Sequence, residues 1–514
     1  MQARPFRPNM ALVLIAFTVL FGILLACARS IQTDADSFWS VSGVALIPAA
    51  TQPGVVQEIP VAAARQPGDP IQTPTPDDPH PLPDIRIEPE QYTVQANDTL
   101  GIIANKYGVS LEQIAQANSL ANIDLLEIGQ VLQIPAPTPE GAGPDFKIIP
   151  DSELVYGPGT VSFDLAAFVQ AQGGHLLNYQ ETVDGVVLNG AQVVERIAKD
   201  FSVNPRLLLA VLEYQSGWVT QANPGELEYP MGIREPARKG LFLQLAWAAN
   251  NLNRGYYLWR VNGAAAWLLG DSSLVPISPV INAGTAAVQQ LFALLYGRDE
   301  WLRAVSPEGV FTTYQAFFGY PFDYTVEPLL PVDLAQPVLQ LPFEAGQQWA
   351  YTGGPHGGWG DGSGWAALDF APPGEALGCV QSDDWVVAVA GGLITRAGIG
   401  AVIQDLDGDG HEGTGWVILY MHIETRDRVE PGTILKAGDR IGHPSCEGGR
   451  STGTHVHLAR RYNGEWISAD QGVPFILDGW VSYGQGYEYN GVLQRDGRSI
   501  EAYAGRSEEN GIQR

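Results

Sequence analysis

Apolar residues are distributed in several distinct patterns along the chain, and each predicts a different kind of structure. A nearly unbroken apolar run covers 11–26, behind Arg4 and Arg7. Sixteen helical residues span about 24 Å, short of a roughly 30 Å hydrocarbon core, so a cleaved export signal is expected over 1–27 rather than a permanent anchor. Residues 28–88 show no apolar period and are rich in Pro, Gln and Thr, as in Thr73-Pro74-Thr75-Pro76. They predict an extended linker in which His80 has no evident partner. Over 89–136 a strand-like Tyr92-Thr93-Val94 precedes two helical stretches, with Leu100, Ile103, Ala104 and Tyr107, then Leu111, Ile114 and Ala115, at helical spacing. Asp98 and Ser110 are expected to cap these helices, and Val131–Ile134 closes the unit as a second strand.

A second linker is expected over 137–159, and 160–335 reads as helical. Asn204-Pro205 opens one helix with a cap followed by a first-turn proline, and Leu207 to Leu212 continue it toward Gln215-Ser216-Gly217. From 341 to 480 short β-like runs punctuated by glycine predict a mostly antiparallel sheet. Residues 481–514 are expected to form a covering hairpin and a frayed tail. The fold class is therefore multidomain α+β: a small βααβ module, an all-helical middle domain and a mostly antiparallel β domain.

Composition narrows the partners. The 514 residues carry a formal charge of −27, which removes nucleic acid from consideration. There are three cysteines. Leu24-Leu25-Ala26-Cys27 resembles a bacterial lipobox, which implies lipidation of Cys27 and membrane contact only through that N-terminal lipid or signal. Cys379 and Cys446 then form an even pair, expected to be a disulfide in an exported domain. Closing that loop contributes roughly 4 kcal/mol in the chain-entropy model.

The candidate chemistry lies in the β region. Six of eight histidines fall between His356 and His457. His455 and His457 flank one residue of a β-type run, so both imidazoles share a strand face. With His356, Asp369 and His422 they supply what a hydrolytic zinc site requires: three protein ligands, an open position, and imidazoles able to move a proton.

These residues, with Asp369-Phe370-Ala371-Pro372 and the turn-rich stretch before His455, resemble lysostaphin/LytM-type zinc metallopeptidases over 341–475. The resemblance implies one zinc ion held by His356, Asp369 and His457, with His422 and His455 as the catalytic pair. One departure stands out: His356 and Asp369 are thirteen residues apart where the family has about four. The glycine-rich interval 357–365 is expected to loop out, and Asp361 within it is the weaker alternative ligand.

Residues 89–136 resemble a LysM domain. That implies a groove for the N-acetylglucosamine backbone of peptidoglycan or chitin, formed by Asp98, Thr99, Leu100 and Gly101 beside the first helix and by Asn122, Ile123, Asp124, Leu125 and Leu126 before the second strand. The helical middle region resembles lysozyme-like transglycosylases, but Gln215 occupies the position of the general acid. Glu213 lies about 200° around the helix from a direct replacement. A non-catalytic spacer or glycan-binding domain is expected, with aromatics such as Trp218, Trp247 and Tyr256 mainly in its core. Asp405, Asp407 and Asp409 resemble the start of a calcium loop, but its twelfth position is Trp416; a β-hairpin loop explains the run equally well.

Together these features imply an exported peptidoglycan endopeptidase that cuts peptide cross-bridges with zinc-activated water and holds glycan through LysM. The alternative is a non-enzymatic envelope lipoprotein that activates cell-wall amidases.

Overall fold

The computed structural model describes residues 78–95, 98–120, 122–139 and 141–514. The N-terminal apolar run, Cys27 and most of the 28–88 linker lie outside them. Among the described residues no helix is long and apolar enough to cross a membrane.

In the first unit, β1 (Glu90–Thr93) pairs antiparallel with β2 (Val131–Ile134) across α1 (Leu100–Tyr107) and α2 (Leu111–Ala117). Val94, Leu100, Ile103, Ala104, Val109, Ile114, Leu132 and Ile134 form its core. Ser110 opens α2 through a reciprocal capping box with Gln113. At α1 the expected cap moves by one residue. Thr99 Oγ1 accepts from Ile102 N, whereas Asp98 accepts from Gln95 N and from the Tyr92 hydroxyl.

The middle region contains α3 (Leu165–Gln172), α4 (His175–Asn178), α5 (Gly190–Phe201), α6 (Pro205–Ser216), α7 (Leu241–Arg260), α8 (Ala283–Ala293), α9 (Arg298–Ala304) and α10 (Val310–Phe318). It is not all-helical. Two short hairpins interrupt it: β3 (Gln180–Val183) with β4 (Val186–Asn189), and β5 (Ala266–Leu268) with β6 (Leu274–Pro276). Glu181 on β3 accepts from the amides of Leu241 and Phe242, so the hairpin supplies the N-terminal cap that α7 lacks in its own sequence. Trp218, Tyr256, Tyr257, Trp259 and Trp267 are buried, in agreement with a core role. The linker before the first unit is also less free than its composition predicts: His80 stacks on Trp259 and bonds its carbonyl.

The β region is built on β7 (Gln348–His356), β8 (Ala367–Ala371), β9 (Val386–Val387), β10 (Gly392–Gly398), β11 (Ala401–Asp405), β12 (Trp416–Met421), β13 (Ile434–Leu435), β14 (Arg440–Gly442), β15 (Val456–Tyr462) and β16 (Glu465–Trp466). After them come β17 (Ile476–Leu477), β18 (Trp480–Gly484), β19 (Gly491–Arg495), β20 (Arg498–Glu501) and β21 (Gly511–Gln513). The main sheet runs β13-β10-β11-β12-β15-β8-β7-β21 with antiparallel neighbours, and β16 pairs with β15. Strands β17 to β20 form a separate antiparallel sheet. The tail expected to fray instead supplies β21, paired with β7 through Gly511↔Ala350.

Alternation along the strands decides which face buries what. Ile418 and Tyr420 on β12, Leu368 and Phe370 on β8, and Val456 and Leu458 on β15 enter the core shared with β17 to β20. Val417, Leu419 and Met421, Ala367 and Ala459 face the other way, into one core continuous with the helices. Asp369, His455 and His457 have the parity of that second set. The helical region therefore covers part of the same sheet face that carries the candidate site.

Candidate metal centre

Strand order and register assemble the site. Asp369 on β8 is directly opposite His457 on β15, and His457 is opposite Met421, the residue before His422. On its other side Asp369 pairs with Gly353 of β7, the strand that ends in His356. Four adjacent strands thus deliver His422, His457, Asp369 and His356 in order. A Cβ at Gly353 would lie 2.5 Å from Asp369 Oδ2, so glycine there makes room for the carboxylate.

Each imidazole directs one ring nitrogen at a backbone carbonyl. His356 Nδ1 faces the Gly354 carbonyl at 2.8 Å and His457 Nε2 faces that of Gly358 at 3.1 Å. His422 Nδ1 lies 3.0 Å from the Glu447 carbonyl, and His455 Nδ1 lies 2.7 Å from that of Gly453. A carbonyl only accepts, so these contacts place the proton on the named nitrogen of each neutral ring and leave a lone pair on the other.

The freed lone pairs converge. His356 Nε2 and His457 Nδ1 are 2.9 Å apart, and each is 3.2 Å from Asp369 Oδ1. That oxygen is buried and accepts no well-aligned hydrogen bond. Three acceptors pointed at one another in a buried place repel unless they share a cation. Two imidazole nitrogens and one carboxylate oxygen, all within 4.8 Å, are a suitable donor set for a tetrahedral metal with one position open. Electrostatics follow the same geometry. Burial works against the Asp369 charge, but His356 and His455 in their protonated forms hold the carboxyl well below the usual range. Burial, with His455 and His457 adjacent, pushes His422 down to about 3, which keeps it neutral at ordinary pH.

His422 and His455 complete the cluster, with ring centroids 4.4 Å apart. His422 holds φ of 65°, an uncommon conformation for a non-glycine residue at a chain turn that carries a site side chain. The Cys379–Cys446 disulfide is present, and Ser445, beside Cys446, forms a β-bridge with His455. Next to it, Thr454 Oγ1 donates to the Val380 carbonyl, and Ser445 Oγ donates to the His422 carbonyl.

The remaining sequence candidates fall elsewhere. Asp361 pairs with Asn250 and Arg254 of α7 and takes no part in the donor cluster. His443 packs against Trp385 with the rings tilted and bonds the Asp384 carbonyl, and His411 lies in the β11–β12 loop. Asp405, Asp407 and Asp409 stand together, but each accepts from an amide of that loop: Asp407 N and Gly410 N, Asp409 N, and His411 N respectively. This is the hairpin-loop alternative. Glu213 accepts from the amides of Val219 and Thr220 and from the Thr220 hydroxyl, which commits it to shaping its own loop; Gln215 accepts from the Tyr296 hydroxyl. In the first unit, Ile123 and Leu125 are exposed beside Asn122, which bonds Asp124 N. Leu100 is in the core, so its side chain is not on a groove surface.

Sequence reasoning missed Tyr489, whose ring stacks on His356 with centroids 4.3 Å apart, and Glu488, which accepts from Gly357 N. It also missed the orienting carbonyls. The one available signal was glycine two residues from His356, at 354 and 358, and two residues before His455, at 453.

Comparison with known proteins assigns each of the three units to a family. Family models match at 92–135 (LysM domain), 147–331 (LasA, N-terminal domain) and 373–469 (peptidase family M23). The middle region thus matches the LasA N-terminal domain, in place of the expected lysozyme-like relation. The M23 match begins after His356 and Asp369, so it is the fold that joins them to the other three residues. Protease LasA of Pseudomonas aeruginosa is 26% identical over 349 residues, covering 63% of this chain and 76% of that protein. The β-lytic metalloendopeptidase of Lysobacter enzymogenes is 31% identical over 136 residues, covering 25% of this chain and 71% of that one. Among solved structures, the deep-sea M23 metalloprotease pseudoalterin matches at 26% identity and a TM-score of 0.28, covering 35% of this chain and all of that one. The chain belongs to peptidase family M23, as a LytM-type metallopeptidase preceded by a LasA-type N-terminal domain and a LysM domain.

Proposed function

We propose that the chain is an exported, zinc-dependent endopeptidase that cleaves peptide cross-bridges of peptidoglycan while its LysM domain holds the glycan strand. The observation that carries this reading is the convergence of three lone pairs, from His356 Nε2, Asp369 Oδ1 and His457 Nδ1, with two further imidazoles beside them. These three residues would hold the zinc. When bound, zinc polarises the scissile carbonyl and makes an attacking water more acidic.

His422 and His455 do the proton work. Their carbonyl-fixed Nδ1 protons leave Nε2 as the acceptor on each ring. One ring takes the proton of the attacking water and returns it to the leaving amine; the other, protonated from solvent, donates its Nε2 proton to the developing oxyanion.

The disulfide supports an oxidising compartment and hence export, with the 1–27 signal and Cys27 lipidation as the proposed route. The LysM match supports glycan binding and the metalloendopeptidase relative supports peptide-bond cleavage, a pairing that suits peptidoglycan as substrate. The non-enzymatic alternative requires a lost ligand, and each of the five site residues is in place.

The test is zinc content and release of new amino groups from peptidoglycan by the full chain, beside His457→Ala and His455→Ala. One zinc in the wild type, metal loss in the first variant, and retained metal with lost activity in the second are expected. A folded wild type that takes up no zinc and leaves peptidoglycan uncut would refute the proposal.

A further inference from the structure

The glycine-rich segment 357–365 joins two sheet strands, yet its tip is held by the helical region. Asn250 of α7 donates from Nδ2 to Asp361 Oδ1 at 2.6 Å and accepts from Gly362 N at 3.0 Å. Arg254, one turn along, lies 3.7 Å from Asp361 Oδ2. The fit is close: a Cβ on Gly362 would come within 1.9 Å of the Asn250 carbonyl oxygen, and one on Gly360 within 2.5 Å of Asn250 Oδ1. At the other end of the same segment, the Gly358 carbonyl receives His457 Nε2, the contact that turns His457 Nδ1 toward Asp369. Gly358 N bonds the Gly364 carbonyl, and Trp359 N bonds Ser363 Oγ, so tip and base are cross-linked inside the loop.

A continuous path therefore runs from α7 through a short, internally bonded loop to the ring of a proposed ligand. A ligand imidazole keeps its orientation through the partner of its second nitrogen, and loss of such a partner typically weakens metal binding about 10–100-fold. A nine-residue loop with glycine at 357, 358, 360, 362 and 364 has little intrinsic preference for one conformation, so an external anchor decides where its carbonyls point.

We propose that Asn250 is a positioning residue of the metal centre: by clamping Asp361 and Gly362 it fixes the Gly358 carbonyl and, through it, the His457 ring. The helical region thereby sets how tightly the peptidase site holds its metal. This inference rests on the zinc reading of the site.

The full chain is loaded with zinc, and the rate of zinc transfer to excess chelator is measured for wild type, Asn250→Ala, Gly362→Ala and the remote control Arg238→Ala. Amide exchange over 357–365 and the thermal midpoint are followed in parallel. Asn250→Ala and Gly362→Ala are expected to speed loop exchange and to release zinc about tenfold faster. The double variant should be no faster than Gly362→Ala alone, and Arg238→Ala should match the wild type. Faster loop exchange with unchanged zinc release, unchanged loop exchange, or equal acceleration by Arg238→Ala would each overturn the clamp. A wild type that binds no zinc removes the zinc reading and the clamp together, and the wild-type arm alone reveals it.

Discussion

Asp369 and Gly353 are cross-strand partners, and the missing side chain of one accommodates the carboxylate of the other. A methyl group at 353 would stand 2.5 Å from Asp369 Oδ2 and 3.0 Å from its Cβ, so either the strand or the carboxylate must shift. Gly353→Ala is therefore expected to displace Oδ1 from the two ring nitrogens it faces. Metal affinity should fall at least about tenfold, with the thermal midpoint of the metal-free protein lowered far less. Calorimetric zinc titration checks this; unchanged affinity would show that the carboxylate position is not set from β7.

The disulfide has a local consequence as well as a global one. Cys446 immediately precedes the segment that carries Glu447 and Gly453, whose carbonyls orient His422 and His455, and Cys379 precedes Val380, which is bonded to Thr454 of that same segment. Replacing both cysteines by serine should cost about 2–5 kcal/mol of stability. It should also lower kcat while leaving zinc content intact, because the three proposed ligands hang from β7, β8 and β15. Activity and metal content measured together separate the two effects. Loss of zinc in the serine variant would contradict this division.

Much of the site was legible in the sequence because each part has local grammar. His455-x-His457 on a strand, an aspartate inside a buried run and a histidine at a strand end each reveal themselves within a few residues. What joins them is sheet order, and β12-β15-β8-β7 brings together strands separated by as much as a hundred residues. The same limit explains His80 on Trp259 and the tail strand β21: a polar or proline-rich segment shows no period, but it still docks where a complementary surface is offered. Glu181 as the cap of α7 was invisible for that reason. Thr99 was within reach, since Asp98-Thr99 offers two caps and only the geometry of Gln95 and Tyr92 decides which is occupied otherwise.

If the first unit holds glycan, its exposed apolar side chains should matter for insoluble substrate and not for chemistry. Leu125 and Ile123 are 66% and 42% exposed beside Asn122. Leu125→Asp is expected to raise the half-saturating concentration of peptidoglycan sacculi about tenfold or more, through lost effective concentration at the peptidase site. Cleavage of a short soluble peptide should be unaffected. Equal loss on both substrates would mean that the substitution acts on folding.

The seam between helices and sheet should give the protein an acid-sensitive component of stability. Glu412 is buried between Arg396 and Arg461, and Arg396 also reaches Asp200 on α5. Burial opposes the Glu412 charge, but the two guanidiniums hold its carboxyl down at about 2, against an ordinary 4.5. A folded-state pKa below the unfolded one contributes stability that is complete above about pH 4.5 and is lost as pH falls through that value toward 2. The shift corresponds to about 3 kcal/mol. Glu412→Gln should thus be destabilised by about 3 kcal/mol or more at pH 7, since it also leaves buried Arg461 without its carboxylate and Arg396 with Asp200 alone. The gap between wild type and variant should narrow steadily from pH 5 to pH 2. Urea midpoints of both proteins across that range measure it, and a gap independent of pH would mean that the two guanidiniums do not hold the Glu412 carboxylate in its charged form.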